Sequence, residues 1–522
     1  MNLQCISNLL VLDSADATVN PMEMISSLEL GRPIGLFAPH HILVDAFCNV
    51  STIHIYNQSG LQNWTHNNET IKQFQFMGDP ETSTRLSFVL DRLRSSEPIF
   101  SRHYENLVDL EKAYREIAVT VLSLANDLER NDIAVVVFPT MSSHHIDSLI
   151  MEIACQVNQI PQVFQYIPVV ANRCIPIVQK MKIEDRRLLS NLYDAKLSPS
   201  WSPTVNLDNF KAPSIGSTLE GKSSYTQAIL SIFVYSIRTT VRKFRKTIWK
   251  SILGFRNSES LRISREMTRF KNIQSSLKPI SFLQDIKLIY IHKKSLKLLD
   301  RFVDNDFTYI KQLLQNDQGL ADPLIAIAAN FQPEATSFPE AGQIYNFIDL
   351  VVYMRSLGIV GPILYKEHPA TRFFAVGHRS TRCGVARSVY YYSALKSMGV
   401  YFLDSSFDLS TAESVLPLTL NGSIAIERSL RGLPTIVTGS PWFEGMPGTF
   451  SLTNFIDSLT KFPLIKSEGT AYSASLFIND IMKFSITIEP ILYGIKITDQ
   501  KKIEIFIKEY QDFLLSLQEL EL

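Results

Sequence analysis

The stretch from Leu420 to Gly439 constrains the fold of this chain more than any other. An apolar run, Val415 to Leu420, stops at Asn421-Gly422-Ser423. A helical pattern with Ile424, Ile426 and Leu430 follows to Gly432, and Pro434 opens a second short β-branched run, Thr435-Ile436-Val437. This is a strand, turn, helix, strand unit, and such units build parallel sheets covered by helices. The turn leaves the first-turn amides of the helix and the Ser423 hydroxyl facing whatever lies beyond the strand, where a phosphate fits. Glu427, one helical turn on, can accept two ribose hydroxyls. A capping serine and a surface glutamate are the plainer reading of the same residues.

Two other apolar runs end in the same way. Ile363-Leu364-Tyr365 runs into Lys366-Glu367-His368-Pro369, where the proline holds His368 extended at a strand end. Ile325 to Ala329 runs into Asn330-Phe331 and then Gln332-Pro333-Glu334-Ala335-Thr336. In an open parallel sheet such ends line one crevice, and ligands bind there.

These stretches resemble the bacterial capsular polysaccharide biosynthesis proteins that include the Kdo transferases of capsule assembly. The resemblance lies in Gln332 to Thr336 with Gly342, in Lys366 to Pro369, and in Asn421-Gly422-Ser423 with Glu427, Gly432, Pro434 and Gly439. It covers the last third of the chain and reaches the first third through Pro139 to His145. It implies a metal-independent GT-B glycosyltransferase, two Rossmann-like domains clasping a nucleotide-sugar donor, with no further cofactor. Gln332, Lys366, His368, Asn421, Gly422, Ser423 and Glu427 are then the donor-binding residues. The resemblance suggests a CMP-linked sugar such as Kdo and a surface polysaccharide or its lipid-linked precursor as acceptor. The turn has no second hydroxyl residue after Ser423 and Ala425 in place of a glycine, so the donor stays open. Alternatives are a CDP-glycerol-type glycerophosphotransferase, a sugar-nucleotide epimerase, and an inert nucleotide-sugar or polymer-binding scaffold.

With 522 residues the chain exceeds one ordinary core. The expected class is α/β, two doubly wound parallel-sheet domains with a largely helical insertion between them. Residues 1–170 form the acceptor-side domain, 171–285 the insertion, 286–495 the nucleotide-sugar domain and 496–522 a carboxyl-terminal helix. In the first domain Ile133 to Phe138 reads as a strand buried on both faces, followed by Thr140 to His145, a helix from Asp147 to Val157 and a strand from Ile160 to Ile167. His144 and His145 follow a strand end, as His40 and His41 do, and face the donor crevice as general base or acceptor-orienting groups. Glu334 is the other candidate to orient the sugar or serve as base. No acidic partner stands at ligand spacing to either histidine pair, so no metal is expected.

Ile286 to Tyr290 is read as the opening of the second domain, and Phe307 to Leu314 as a helix. The Ser440 to Phe443 loop is placed to cover the base or sugar. Fifty-one Lys plus Arg balance 51 Asp plus Glu, so no global field favours nucleic acid. Five scattered cysteines suggest a reducing compartment. Asn49, Asn57, Asn63 and Asn68 each begin an Asn-x-Ser/Thr triplet and read as an Asn-rich loop region. With no basic-then-apolar leader and no apolar run of spanning length, a cytoplasmic location is expected. The segment 222–256 carries no acid. Its 232–256 part reads as a basic amphipathic helix, either lying on the inner face of an anionic membrane or packed with a solvated basic face.

Overall fold

The computed structural model describes residues 30–37, 51–56, 80–101, 110–138, 146–166, 173–180, 187–188, 282–315, 324–330, 344, 346–372, 387–439, 441–452, 466–487 and 500–519. They form a mixed α/β protein with two sheets.

The first sheet is built from β1 (Ile34–Phe37), β2 (Ile53–Tyr56), β3 (Val135–Phe138), β4 (Gln162–Tyr166), β5 (Arg173–Gln179) and β6 (Arg187–Leu188). A late strand, β13 (Ile486–Thr487), joins it, and the spatial order is β13-β5-β4-β3-β1-β2 with β6 beside β5. Strands β2, β1, β3 and β4 are parallel. Strand β5 turns back antiparallel to β4, and both β6 and β13 pair antiparallel with β5. The first sheet is therefore mixed, not wholly parallel. Its β5 and β6 come from the stretch that the sequence presented as a helical insertion. A hairpin return needs no crossover helix, so the strand-helix alternation stops there although the sheet continues.

Helices α1 (Pro80–Ser95), α2 (Glu97–Ser101), α3 (Leu110–Arg130) and α4 (Ile146–Val157) accompany this sheet. Helix α3 buries Ala113, Ile117, Val121, Leu124 and Leu128, a stripe at three- and four-residue spacing. Strand β3 is buried along its whole length, as its continuous Val-Val-Val-Phe demands.

The second sheet is wholly parallel: β7 (Leu324–Ala328), β8 (Ile363–Lys366), β9 (Val400–Phe402), β10 (Val415–Thr419), β11 (Thr435–Val437) and β12 (Thr449–Ser451). Its order, β12-β11-β10-β7-β8-β9, is the doubly wound order 3-2-1-4-5-6 when the six strands are counted from β7. The period of two along β7 divides its side chains between two cores. Ile325 and Ile327 pack with α6 (Phe347–Ser356) and α7 (Val389–Ser397), and Leu324 and Ala326 pack with Leu403, Leu409 and Val415.

Helix α5 (Phe282–Gln315) runs unbroken for 34 residues and takes in both Ile286 to Tyr290 and Phe307 to Leu314. Its buried face is Ile289, His292, Ser295, Leu299, Val303, Asp306 and Ile310. Three of these seven are polar, which hid the stripe in the sequence. Each has a partner inside: His292 Nε2 meets Thr371 O at 2.7 Å, Ser295 donates to Ile291 O, and Asp306 accepts from Lys396 and from Phe402 N.

Helix α8 (Ile424–Ser429) links β10 to β11, and the chain leaves it through Gly432 at φ +75°. A Cβ there would lie 2.2 Å from Ser467 O, so only glycine fits. Helix α9 (Glu468–Lys483), capped by Ser467, leads to β13, and α10 (Gln500–Glu519) then packs on the first sheet. Gln165 donates to Tyr510 Oη at 2.6 Å, Arg173 stands 3.6 Å from Glu509, and Gln518 accepts from Arg32 N at 2.8 Å. The carboxyl terminus thus returns to the first domain. Among the described residues no helix is long and apolar enough to cross a membrane.

Candidate functional site

The switch point of the second sheet lies between β7 and β10, where the winding reverses. The carboxyl ends of β8, β7 and β10 stand side by side there, with β8 and β10 about 10 Å apart across β7. These are the three polar strand ends that the sequence singled out.

Strand β8 sorts its terminal residues by alternation. Tyr365 and Glu367 are buried, and Lys366 and His368 are half-buried. Glu367 is held by five donors: His368 N (2.7 Å) and Thr371 Oγ1 (3.1 Å) on one oxygen, and Tyr365 Oη, Tyr392 Oη and Arg387 Nε, each at 2.9 Å, on the other. Burial pushes its carboxyl pKa up, but Arg387 and the hydrogen bonds more than offset this, so it stays below the usual carboxylate value. Arg387 is wholly buried, with its guanidinium 4.7 Å from the Tyr391 ring centre and 5.3 Å from that of Phe347.

Arg387 also donates through Nη2 to Asn330 O at 3.0 Å, which ties the end of β7 to the end of β8. The Asn330 side chain ties β7 to β10. Its amide nitrogen donates to Asn421 Oδ1 at 2.9 Å, and its oxygen accepts from Thr419 Oγ1 at 3.1 Å. Gly422 N donates to the same Thr419 hydroxyl at 3.1 Å, and a Cβ on Gly422 would come within 2.6 Å of it. Three strand ends are therefore fixed in register by one buried chain of polar groups.

The groups facing the crevice are arranged differently from the capping pattern. Ser423 lies in helical conformation, φ −58° and ψ −19°, and makes no capping bond. Its hydroxyl donates instead to Glu427 Oε1 at 3.3 Å. Burial raises the Glu427 pKa, and the Ser423 bond and nearby Arg431 and Lys366 counter it. Lys366 Nζ donates to Phe407 O at 2.5 Å, and burial lowers its pKa against the pull of Asp408, Asp404 and Glu427. Burial lowers His368 to about 4, with the Glu367 charge opposing and Arg387 and Lys366 assisting. At neutral pH His368 is therefore an uncharged imidazole, and Lys366 is the cation of this strand end until an anion arrives.

Asn421, Gly422, Ser423 and Glu427 from one strand end, and Lys366 and His368 from the other, thus stand at the same end of the second sheet. Gln332, Glu334, His144 and His145 lie outside the described residues, as do the 232–256 segment and Asn49, Asn57, Asn63 and Asn68. Asn330, Thr419 and Arg387 join the site although no motif marked them. Their one signal was a lone polar residue directly after an apolar run for Asn330, and a basic residue before a Tyr-Tyr-Tyr run for Arg387.

The first sheet presents its own carboxyl end to this side. Tyr166, the last residue of β4, meets Trp442, which follows β11, with ring centres 6.3 Å apart. Trp442 is buried against Phe443, so it is a packing residue between the two sheets and not an open cover for a base or sugar. Ala425, Ile426, Val437 and Met446 share that core with Phe138 and Phe164 of the first sheet. Among the described residues no group of three or more His, Cys, Asp or Glu is set to hold a metal ion. No family model matches the chain, and no curated protein matches it.

Proposed function

We propose that the chain is a glycosyltransferase of the GT-B type that moves a sugar from a nucleotide-sugar donor to a surface or capsular polysaccharide, or to its lipid-linked acceptor. The observation that carries this reading is the switch point, where Lys366-Glu367-His368, Asn330 and Asn421-Gly422-Ser423 converge on the carboxyl ends of three adjacent strands. Facing it is the carboxyl end of the first sheet, which gives a second substrate a wall to approach from.

In this reading the Asn421 to Ser423 turn supplies amide and hydroxyl donors to the donor phosphate. Lys366 supplies positive charge, and neutral His368 supplies one ring N–H. Glu427 takes the ribose hydroxyls, exchanging its bond from Ser423 for theirs. The bond between the sugar's anomeric carbon and the phosphate oxygen breaks, and the departing nucleotide keeps the electron pair. An acceptor hydroxyl forms the new bond and gives its proton to a base, for which Glu334, His144 and His145 are the candidates. Fixed donors aimed at the leaving phosphate are the main electrostatic contribution, because they need no reorganisation as charge develops.

The test is thermal unfolding of the full chain with CMP, CDP, UDP, GDP and their sugar conjugates, CDP-glycerol included. A nucleotide at about 100 times its dissociation constant adds about 2.7 kcal/mol to stability. The expected result is stabilisation by one base class, lost in His368→Ala and Ser423→Ala. Stabilisation by CDP-glycerol alone would turn the reading to a glycerophosphotransferase, and no stabilisation by any ligand would remove the transferase reading.

A further inference from the structure

The exposed face of α5 carries a line of cations that neither the crevice nor the packing uses. At roughly 100° per residue, Lys287, Tyr290, Lys294, Lys297 and Arg301 share one face, opposite the buried Ile289, His292, Ser295, Leu299 and Val303. All five are exposed, and the line is about 21 Å long at 1.5 Å per residue. None of the four cations forms an ion pair with a described residue, and Lys294 Nζ stands 4.7 Å from the centre of the Tyr290 ring.

Two facts argue against a merely solvated face. The chain as a whole is neutral, 51 positive against 51 negative residues, so an all-positive line is not a sample of a basic surface. Helix α5 also has four of its six Lys and Arg residues in the first half and Asp300, Asp304 and Asp306 in the second, with no basic residue in the last turn. A helix dipole favours the opposite order, so helix stability does not account for the arrangement.

We infer that this face of α5 rests on an anionic lipid surface. The opposite face is packed into the protein, so what remains is a straight line of charges suited to a plane, with no groove to take a strand. Lysine and arginine stems reach a headgroup layer while their apolar portions stay along the helix, and a half-exposed tyrosine such as Tyr290 sits at that level. This contact is separate from the crevice, and it stands whether or not the crevice binds a nucleotide.

The experiment is co-sedimentation of the full chain with vesicles of phosphatidylglycerol in phosphatidylcholine and with vesicles of phosphatidylcholine alone. The comparison protein is Lys294→Gln/Lys297→Gln/Arg301→Gln, whose substituted side chains are all exposed and whose melting curve checks the fold. Each basic residue near an anionic surface contributes about five-fold in partition, so the triple variant should bind about 100-fold more weakly. Binding should also vanish at about 1 M salt, where the screening length falls to about 3 Å. Asp304→Lys, which continues the line by one turn, should tighten binding about five-fold. Failure of the unaltered protein to bind anionic vesicles overturns the inference. So does binding that the triple variant retains, which would assign the contact to another segment. Equal or tighter binding of a soluble polyanion such as polyphosphate, lost in the same variant, would replace the lipid with such a polymer.

Discussion

Each end of the second sheet holds one fully buried arginine, and the two are used in opposite ways. Arg387, at the carboxyl end, is paired with Glu367, flanked by tyrosines and bonded to Asn330. Arg428, at the amino end, has no carboxylate against it. It donates to four backbone carbonyls, those of Leu409, Ala412, Val415 and Pro434, at 2.7–3.2 Å. Burial lowers its pKa to about 10, so it remains charged. Four carbonyls fix the loops that feed β10 and β11, and nothing there is left to bind. The carboxylate pair instead fixes three strand ends while leaving Lys366, His368 and the Ser423 turn half-exposed. The lesson is that one end of the sheet spends its buried charge on closing loops and the other on presenting groups.

The largest expected effect is at Arg387. Arg387→Met leaves Glu367 buried and unpaired, which costs about 3–5 kcal/mol, and it releases Asn330 from β8. Chemical denaturation should show that loss, and the surviving folded protein should show no nucleotide stabilisation. Arg428→Met strands several buried carbonyls and should cost about 3 kcal/mol, but the folded fraction should keep the same ligand-induced shift. A lost shift there would break the contrast between the two ends. Gly432→Ala, also at the amino end, meets both a positive φ and Ser467 O, and should cost about 2–3 kcal/mol with ligand response intact.

A smaller and more selective effect separates His368 from the buried pair. Its native pKa of about 4 lies below the ordinary 6.5, so the unfolded chain takes up the proton first. Stability therefore falls as pH drops from about 6.5 towards about 4, and is fully held above that window. His368→Gln should flatten that fall when denaturation midpoints at about pH 7.5 and about pH 5 are compared. An arriving phosphate raises the imidazole pKa, so nucleotide affinity should increase as pH falls through the bound-state value, and the variant should lose this dependence. The smallest expected change is in Ser423→Ala. Its hydroxyl makes one bond to Glu427 and no cap, so stability should move by less than about 1 kcal/mol while the ligand shift is lost.

Much of the second sheet was legible because its strands are short apolar runs that end abruptly in polar residues. The β8 and β10 ends named their own crevice residues, Lys366, His368 and Asn421 to Ser423. Arg387, and the bonds that Asn330 makes, were not legible, because each works through contacts with residues far away in the chain, 57 positions apart in their own bond. The full length of helix α5 was not legible because a buried histidine, serine and aspartate broke its apolar stripe, and the partners of the histidine and the aspartate come from Thr371, α7 and β9. Ser423 looked like a cap because sequence shows the residue type and its place before a helix, and not the backbone angle that aims the hydroxyl at Glu427.

The sequence alone determined the period of each element, the alternation that makes a parallel sheet, and where glycine must stand, as at Gly432. These follow from local sterics and from which side chains leave water. Only the tertiary structure decided that β5, β6 and β13 extend the first sheet antiparallel, since strand pairing depends on partners that local pattern does not contain. It also decided which buried charge meets which: Arg387 found a carboxylate and Arg428 found carbonyls. A buried charge must be satisfied by whatever the fold brings within about 3 Å, and that is a property of the packed chain.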